Sequence, residues 1–598
     1  MTSTSVVSPL AAAVVSIDVS EGEKVKVGQS LVLLESIKIQ TTLKAPVNGI
    51  IEKLYVEVGQ TLQANVVICE ISPLITSSNS EEGRVKKIKN KVDLAEGNDH
   101  AWQEVHALQA LTLDEQRSET IEKRHSKGYR SARENLNDLV DAGSFVEYGQ
   151  LAVAAQRGRR TLEDLRSNTP ADGIITGLAT VNSELFGDAS TNAGIIINDF
   201  TVLAGTQGYF HHRKLDRIID VAYQKQIPTI MYTEGGGGRP GDTDAAIVGG
   251  GLNVNSFYAW AKLGSIVPTI AVNNGYCFAG NAALFGCATI RIATKTSWIG
   301  MAGPAMIEGG GLGSFKPTQI GPIDVQSSNA VVDIVAENEA EATSIAKQIL
   351  AYFQGALTTW QCSDQTVLRR IMPADRRFAY DVRQIINILA DTSTFTELTR
   401  DFGGSIVTGF VRIEGKTFGL MANDCRILGG AIDSTAADKA ARFLQLCNRF
   451  QLPLLSLCDT PGFMVGPASE ELGAARRMSA LFSAGAELHV PVIAILLRKG
   501  YGLGAMAMVG GSFAIPALMA AWPVGEIGPM GLEGAVRLGY KKELEAQPEG
   551  EAREALFKTL VDKMYEQGKA CESAAGLELD AVIDPADTRR VILRALQH

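Results

Sequence analysis

Gly275-Tyr276-Cys277-Phe278-Ala279-Gly280 and Gly500-Tyr501-Gly502-Leu503-Gly504-Ala505 are two glycine-rich turns whose first residues stand 225 apart in a chain of 598. Each follows an apolar run, 269–272 in one case and 492–497 in the other, and opens into small residues. A strand that turns into a helix this way leaves the first helical amides without backbone acceptors and aimed outward. Such amides stabilise an anion, either a phosphate or an enolate oxygen. One such turn says little, since most only let a strand become a helix; a matched pair says more. Neither ends in Gly-Lys-Ser/Thr, which excludes a Walker phosphate loop.

The same shift extends outward from the turns. It places Asn198-Asp199 on Asn423-Asp424, Gly205 on Gly430, Lys214 on Lys439 and Pro228 on Pro453. In each half an apolar strand (194–198, 418–423) leads through a glycine turn to a helix carrying the lysine. A second apolar strand (229–233, 454–458), a further turn and a third strand follow. Strands alternating with helices predict βαβ units and a parallel-type sheet in each half. In the first half the turn after the second strand is Gly235-Gly236-Gly237-Gly238-Arg239, which reads as a groove wall where backbone lies close to a ligand, with Gly236 and Gly237 as candidate contacts.

A shorter repeat occupies residues 1–75. Shifting by 37 puts Pro9 on Pro46, Ile17 on Leu54, Val19 on Val56, Gly22 on Gly59, Val25 on Leu62 and Leu31 on Ile68. Alternating Val and Ile between glycine turns predicts short strands, and a duplication of that size predicts a small flattened barrel with pseudo-twofold symmetry. Between the halves, Glu35-Ser36-Ile37-Lys38-Ile39 predicts a tight hairpin with Lys38 at its tip. Residues 76–99 are polar, with Glu81-Glu82 and Lys86-Lys87-Ile88-Lys89, and read as a tether.

Composition narrows the function. Lys+Arg of 56 against Asp+Glu of 66 gives a net charge of -10 without a large basic block, which argues against nucleic acid or an anionic membrane surface as partner. The 60 glycines are about one residue in ten, against ~7% in ordinary chains. Eight scattered cysteines without a C-x-x-C pair fit reduced thiols in a cytoplasm, and no targeting segment is evident. The 26 uncharged residues 500–525 are long enough to span a bilayer, but six glycines and two prolines favour a buried strand, turn and helix. His211-His212 are adjacent on a helix and do not share a face, so no metal site is expected. Lys214 and Lys439 are expected to pair with carboxylates or reach a phosphate of the substrate, Trp522-Pro523 to pack, and Met506 and Ala507 to floor an apolar pocket.

Residues 1–75 resemble the biotin carboxyl carrier and lipoyl domain family. Glu35, Ser36 and Lys38 match the biotin motif, while Ile37 and Ile39 stand where that family has methionines. Residues 100–598 resemble the carboxyltransferase subunits of acyl-CoA carboxylases. The matches include Lys127-Gly128, Gly143-Ser144-Phe145-Val146-Glu147, Tyr380-Asp381-Val382-Arg383, Lys439-Ala440-Ala441-Arg442-Phe443, Asp459-Thr460-Pro461-Gly462-Phe463 and Arg498-Lys499-Gly500-Tyr501-Gly502. The resemblance implies an α/β fold of two tandem crotonase-like (ββα superhelix) domains, 100–355 and 356–598, behind an all-β biotinyl domain (1–75) and linker (76–99).

It also implies the chemistry. Biotin attached covalently to Lys38 acts as carboxyl donor and base, and an acyl-CoA is the acceptor. The protein supplies two oxyanion holes, Ala279 and Gly280 for the thioester enolate and Leu503 and Gly504 for the ureido oxygen of biotin. The implied partners are a separate biotin carboxylase subunit, a biotin protein ligase and further copies of the chain, as a hexamer built from dimers. A decarboxylase or transcarboxylase would run related chemistry, and a carrier or scaffold without catalysis is the reading from another class.

Overall fold

The computed structural model describes residues 3–36, 39–73, 99–244 and 252–596. They form two compact units, Met1–Gly97 and Asn98–His598.

In the first unit two four-stranded antiparallel sheets face each other. One joins Thr4–Val7, Val67–Pro73, Gly49–Leu54 and Lys24–Val25; the other joins Ile39–Lys44, Ser30–Ser36, Ala12–Ile17 and Thr61–Leu62. The 37-residue shift carries Ala12–Ile17 onto Gly49–Leu54, Lys24–Val25 onto Thr61–Leu62 and Ser30–Ser36 onto Val67–Pro73, so the repeat is the symmetry of the barrel. Alternation puts Leu31, Leu34, Ile51, Ile68 and Ile71 inside, each fully buried. Gly22 and its mate Gly59 sit at φ 85° and 88°, where a side chain would strain the turn.

The second unit contains the longer duplication. A seven-stranded sheet runs in the order Ile334–Ala336, Ile290–Thr294, Thr269–Asn273, Thr229–Tyr232, Asn192–Asn198, Ile174–Thr180, Val146–Glu147. Its counterpart runs Ala581–Val582, Leu518–Ala521, Val492–Tyr501, Leu454–Thr460, Lys416–Asn423, Ile406–Ile413, Thr396–Leu398, with Glu526–Gly528 beside the end of Val492–Tyr501. Helices Tyr209–Lys225 and Ser434–Arg449 occupy the same place in each half.

The sheets are mixed rather than parallel throughout. The first three strands of each half pair antiparallel, and the parallel pairing expected from the βαβ alternation begins only after them. The cause is local. Ile413 and Lys416 are joined by Glu414-Gly415, at φ 50° and 75°, a two-residue reversal that can only make a hairpin. The parallel strands are buried on both faces, with every residue of Thr229–Tyr232, Thr269–Asn273 and Leu454–Thr460 inside. Between the halves, the buried Arg412 donates to the carbonyls of Ala351, Gly355 and Gly415.

The uncharged stretch 500–525 ends one strand, forms helix Gly502–Met508 and begins the next strand. Among the described residues no helix is long and apolar enough to cross a membrane.

Candidate functional site

In the first half, strand Tyr276–Phe278 continues the direction of Thr269–Asn273 and stops at Ala279, after which helix Gly280–Cys287 begins. Ala279 adopts φ 51°, ψ −120°, a reversal that glycine makes without strain. Its amide is bonded to the Gly300 carbonyl at 3.0 Å. The expectation that Ala279 donates to an oxyanion is therefore corrected: that N–H is already spent on the neighbouring strand, and the residue shapes the turn. Gly280, the first residue of helix Gly280–Cys287, carries one of the amides that have no partner within the helix.

The tetraglycine run lies against this turn. Gly235 donates to the Tyr276 carbonyl (2.7 Å) and accepts from the Phe278 amide (3.0 Å); Gly236 donates to Ala204 (3.1 Å). Gly237 donates to Oδ1 of Asn281 (3.0 Å), whose amide nitrogen in turn bonds the Thr233 carbonyl (3.1 Å). A Cβ on Gly237 would lie 2.7 Å from the Ala279 Cβ and 3.6 Å from the Gly280 nitrogen, so a side chain here would stand over the Gly280 amide. Gly237 lies against the turn, and Gly236 against Thr206 and Ala204.

The second half repeats the arrangement with a stagger. Gly235 bridges to Cys277, whereas Thr460, its mate under the 225 shift, pairs with Gly500. Likewise Phe278 faces Gly300 as Tyr501 faces Gly528. Strand register therefore equates Cys277 with Gly500, Ala279 with Gly502 (φ 56°) and Gly280 with Leu503, a shift of 223 rather than 225 at the turn. The glycine match of 275 with 500 is two residues out because the first half has two extra residues before its turn. Leu503 and Gly504 follow the reversal in the first turn of helix Gly502–Met508, where amides have no partner within the helix. The Leu503 side chain is 61% exposed. Gly504 must be small for another reason: a Cβ would come within 2.6–2.9 Å of the backbone of Gly462 and Phe463.

Both loops are pinned from behind by buried ion pairs. Glu234, the last residue before the tetraglycine, takes a two-pronged bond from Arg124 (2.6 and 3.2 Å), and Asp459 takes one from Arg498 (2.9 and 3.2 Å). Glu234 and Asp459 are exchanged by the 225 shift, a carboxylate on a carboxylate, which was the signal available in the sequence. Arg239 is held by Asp172 (2.6 Å) and Asp242 (3.0 Å), and burial pushes the Asp172 carboxyl up to about 6. Behind Arg124 stands Glu339, hydrogen-bonded to Asn135 (2.8 Å); burial raises its carboxyl to about 7.

Lys38 and its neighbour Ile37 lie outside the described residues; the strands on either side pair up to Ser36 and Ile39. Lys214 meets neither a carboxylate nor a surface: its amine donates to the carbonyls of Ala171 (2.9 Å) and Ile174 (2.5 Å), which corrects the expectation for it. His211 bonds Asn198 and His212 bonds Ser256. Trp522 is fully buried, its indole N–H on Thr588 (3.1 Å). Met506 lines a cavity of about 820 Å³ beside Gly500 and Gly502, with Phe513, Ile527 and Leu532; Ala507 is buried in the core.

Residues 123–598 match the carboxyl transferase domain family and residues 1–71 the family of biotin-requiring enzymes. The chain belongs to the carboxyl transferase family. It is a carboxyltransferase of the biotin-dependent acyl-CoA carboxylase and transcarboxylase class, with a biotin-type domain on the same chain. It is 32% identical over 491 residues to the methylmalonyl-CoA carboxyltransferase 12S subunit of Propionibacterium freudenreichii subsp. shermanii, covering 80% of this chain and 90% of that one. The crystal structure of transcarboxylase 12S with methylmalonyl-CoA bound superposes with TM-score 0.72 at 29% identity, over 85% of this chain and 96% of that one. A single-chain, multi-domain long-chain acyl-CoA carboxylase superposes with TM-score 0.81 at 49% identity over 99% of this chain. The chain spans 56% of the length of that enzyme.

Proposed function

We propose that the chain transfers a carboxyl group from biotin on Lys38 to the α carbon of an acyl-CoA, with one half of the second unit holding the thioester and the other the ureido group. The observation that carries this reading is the pair of reversals that each open a helix, where the first amides have no partner within the helix, each braced by a buried carboxylate–arginine pair. Gly280 is the donor to the enolate oxygen, seated by Ala279 and walled by Gly236 and Gly237. Leu503 and Gly504 are the donors on the biotin side. Backbone amides fixed in a buried frame need no reorganisation when charge develops, and losing one such donor costs about 10²–10³ in rate. Biotin supplies the carboxyl group and the acceptor for the α proton; the chain orients the two partners and keeps water from them.

The hairpin fits the cofactor. The Ser36 to Ile39 register leaves two residues, Ile37 and Lys38, to join the strands, and Ile39 beside them is 68% exposed. We assign domains at 1–75, 76–99, 100–355 and 356–598, the last two crotonase-like. Charging by a separate biotin carboxylase subunit, attachment by a biotin protein ligase and a hexamer built as a trimer of dimers complete the proposal. The hexamer assembly of the 12S relative supports the last, and the longer single-chain relative favours long acyl chains.

The test is carboxylation of acetyl-, propionyl-, methylcrotonyl- and longer acyl-CoA by the protein with its carboxylase partner, alongside Lys38→Ala. We expect Lys38→Ala to bind no streptavidin on a blot and to retain less than about a hundredth of the activity, the group-transfer arm being gone. Equal product from Lys38→Ala would remove the fused carrier from the reaction.

A further inference from the structure

Lys214 and Lys439 occupy the same place on their helices, yet their amines end differently. The first is closed off by the Ala171 and Ile174 carbonyls. Strand register equates Ile174 with Ile406, since each faces the asparagine ending the next strand, Asn198 and Asn423. Lys439, 4% exposed, bonds neither Ile406 nor any other described residue. A buried ammonium without an acceptor is costly, so this position has a reason to be paired.

Lys439 lines a cavity of about 70 Å³ between the two halves, walled by Thr289, Arg291 and Asp333 from the first and by Thr399 and Arg442 from the second. One water fills ~10–15 Å³, so the space takes several waters or one small polyatomic ion. Its charge is one-sided. Arg291 and Asp333 neutralise each other through a two-pronged pair (2.9 and 2.7 Å). Lys439 and Arg442, three apart on one helix face, have no ion-pair partner among the described residues. Of the carboxylates that act on Lys439, Glu397 and Asp424 are taken by Arg383 at 2.5 Å each, and Asp401 is exposed.

We propose that this cavity binds a dianionic phosphate group through the Lys439 amine and the Arg442 guanidinium, with hydroxyls of Thr289 and Thr399 within the same walls. The phosphate is either inorganic or the terminal monoester of CoA, and the two share the chemistry that the site reads. The site is separate from the two reversals and does not depend on their assignment.

Isothermal titration of the full chain with inorganic phosphate, at constant ionic strength against chloride, tests it. A saturable single site is expected, weakened about tenfold or more in both Arg442→Gln and Lys439→Met, the loss of one charge-assisted contact. Absence of a saturable heat, or equal affinity in Arg442→Gln, overturns the proposal. Arg442 is exposed at the cavity mouth, so its variant stands even if Lys439→Met fails to fold. Displacement of phosphate by CoA but not by dephospho-CoA would name the ester as the source; displacement by neither would name the free ion.

Discussion

A backbone at φ 51° and ψ −120° suits glycine, and Ala279 holds it because the flanking bonds over-determine the reversal: its own amide to Gly300 and the Phe278 amide to Gly235. Such a conformation costs an alanine roughly 1–3 kcal/mol, part of which glycine gives back through the unfolded chain. Ala279→Gly is therefore expected to stabilise the protein by about 1 kcal/mol in denaturant unfolding while leaving turnover within twofold, since the amide it presents is engaged elsewhere. A fall in activity of tenfold would show that the Ala279 amide turns to the substrate. At this scale the sequence was readable only in part. Small residues mark the place of each reversal, but which amide is free depends on whether the neighbouring strand has claimed it. The pairs 279–280 and 503–504 look alike as letters, yet lie one residue out of step across the two halves.

At the level of elements, the 225-residue shift located strands, helices and loops because apolar runs and glycine punctuation follow directly from burial and reversal. It missed the antiparallel beginning of each sheet. That reading took alternation of strand and helix as the whole rule, where Glu414-Gly415 between two apolar runs signals a hairpin. It also passed over the braces, because Arg124 is 110 residues from Glu234 and no local pattern links them. Arg124 joins helix Ser118–His125 to the strand end at Glu234, and Glu339 brings helix Glu339–Ala351 to the same guanidinium, 3.7 Å away. Burial raises the Glu339 carboxyl to about 7 from 4.5. The folded chain thus binds a proton there that the unfolded chain has released. The stability this adds is complete below pH 4.5 and is lost as pH rises through about 7. Glu339→Gln cannot titrate and keeps an acceptor for Asn135. Between about pH 5 and about pH 8 the wild type should lose on the order of 2 kcal/mol relative to it. Unfolding curves at the two pH values measure the difference, and a wild type that gains would reverse the assignment.

For the whole molecule, the two repeats have different periods, one building the biotin-type unit and the other the carboxyltransferase unit. The barrel buries its own core, Leu31, Leu34, Ile51 and Ile68 among it, and the second unit buries both of its sheets, so each has what it needs to fold alone. On the proposed reading residues 76–99 tether the carrier, and a tether of that kind sets an effective concentration on the order of 1 mM at the target. Residues 1–97 and 98–598 made as separate chains should each unfold cooperatively. Mixed at about 1–10 μM with biotin attached to the first, they should carboxylate acyl-CoA about 10²–10³-fold more slowly than the intact chain. Raising the free carrier towards about 1 mM should restore the rate, with the change confined to the apparent KM for the carrier. A mixture as fast as the intact chain at micromolar carrier would mean that the two units dock through a surface of their own. A mixture that stays slow at saturating carrier would mean that the join does more than hold the two together.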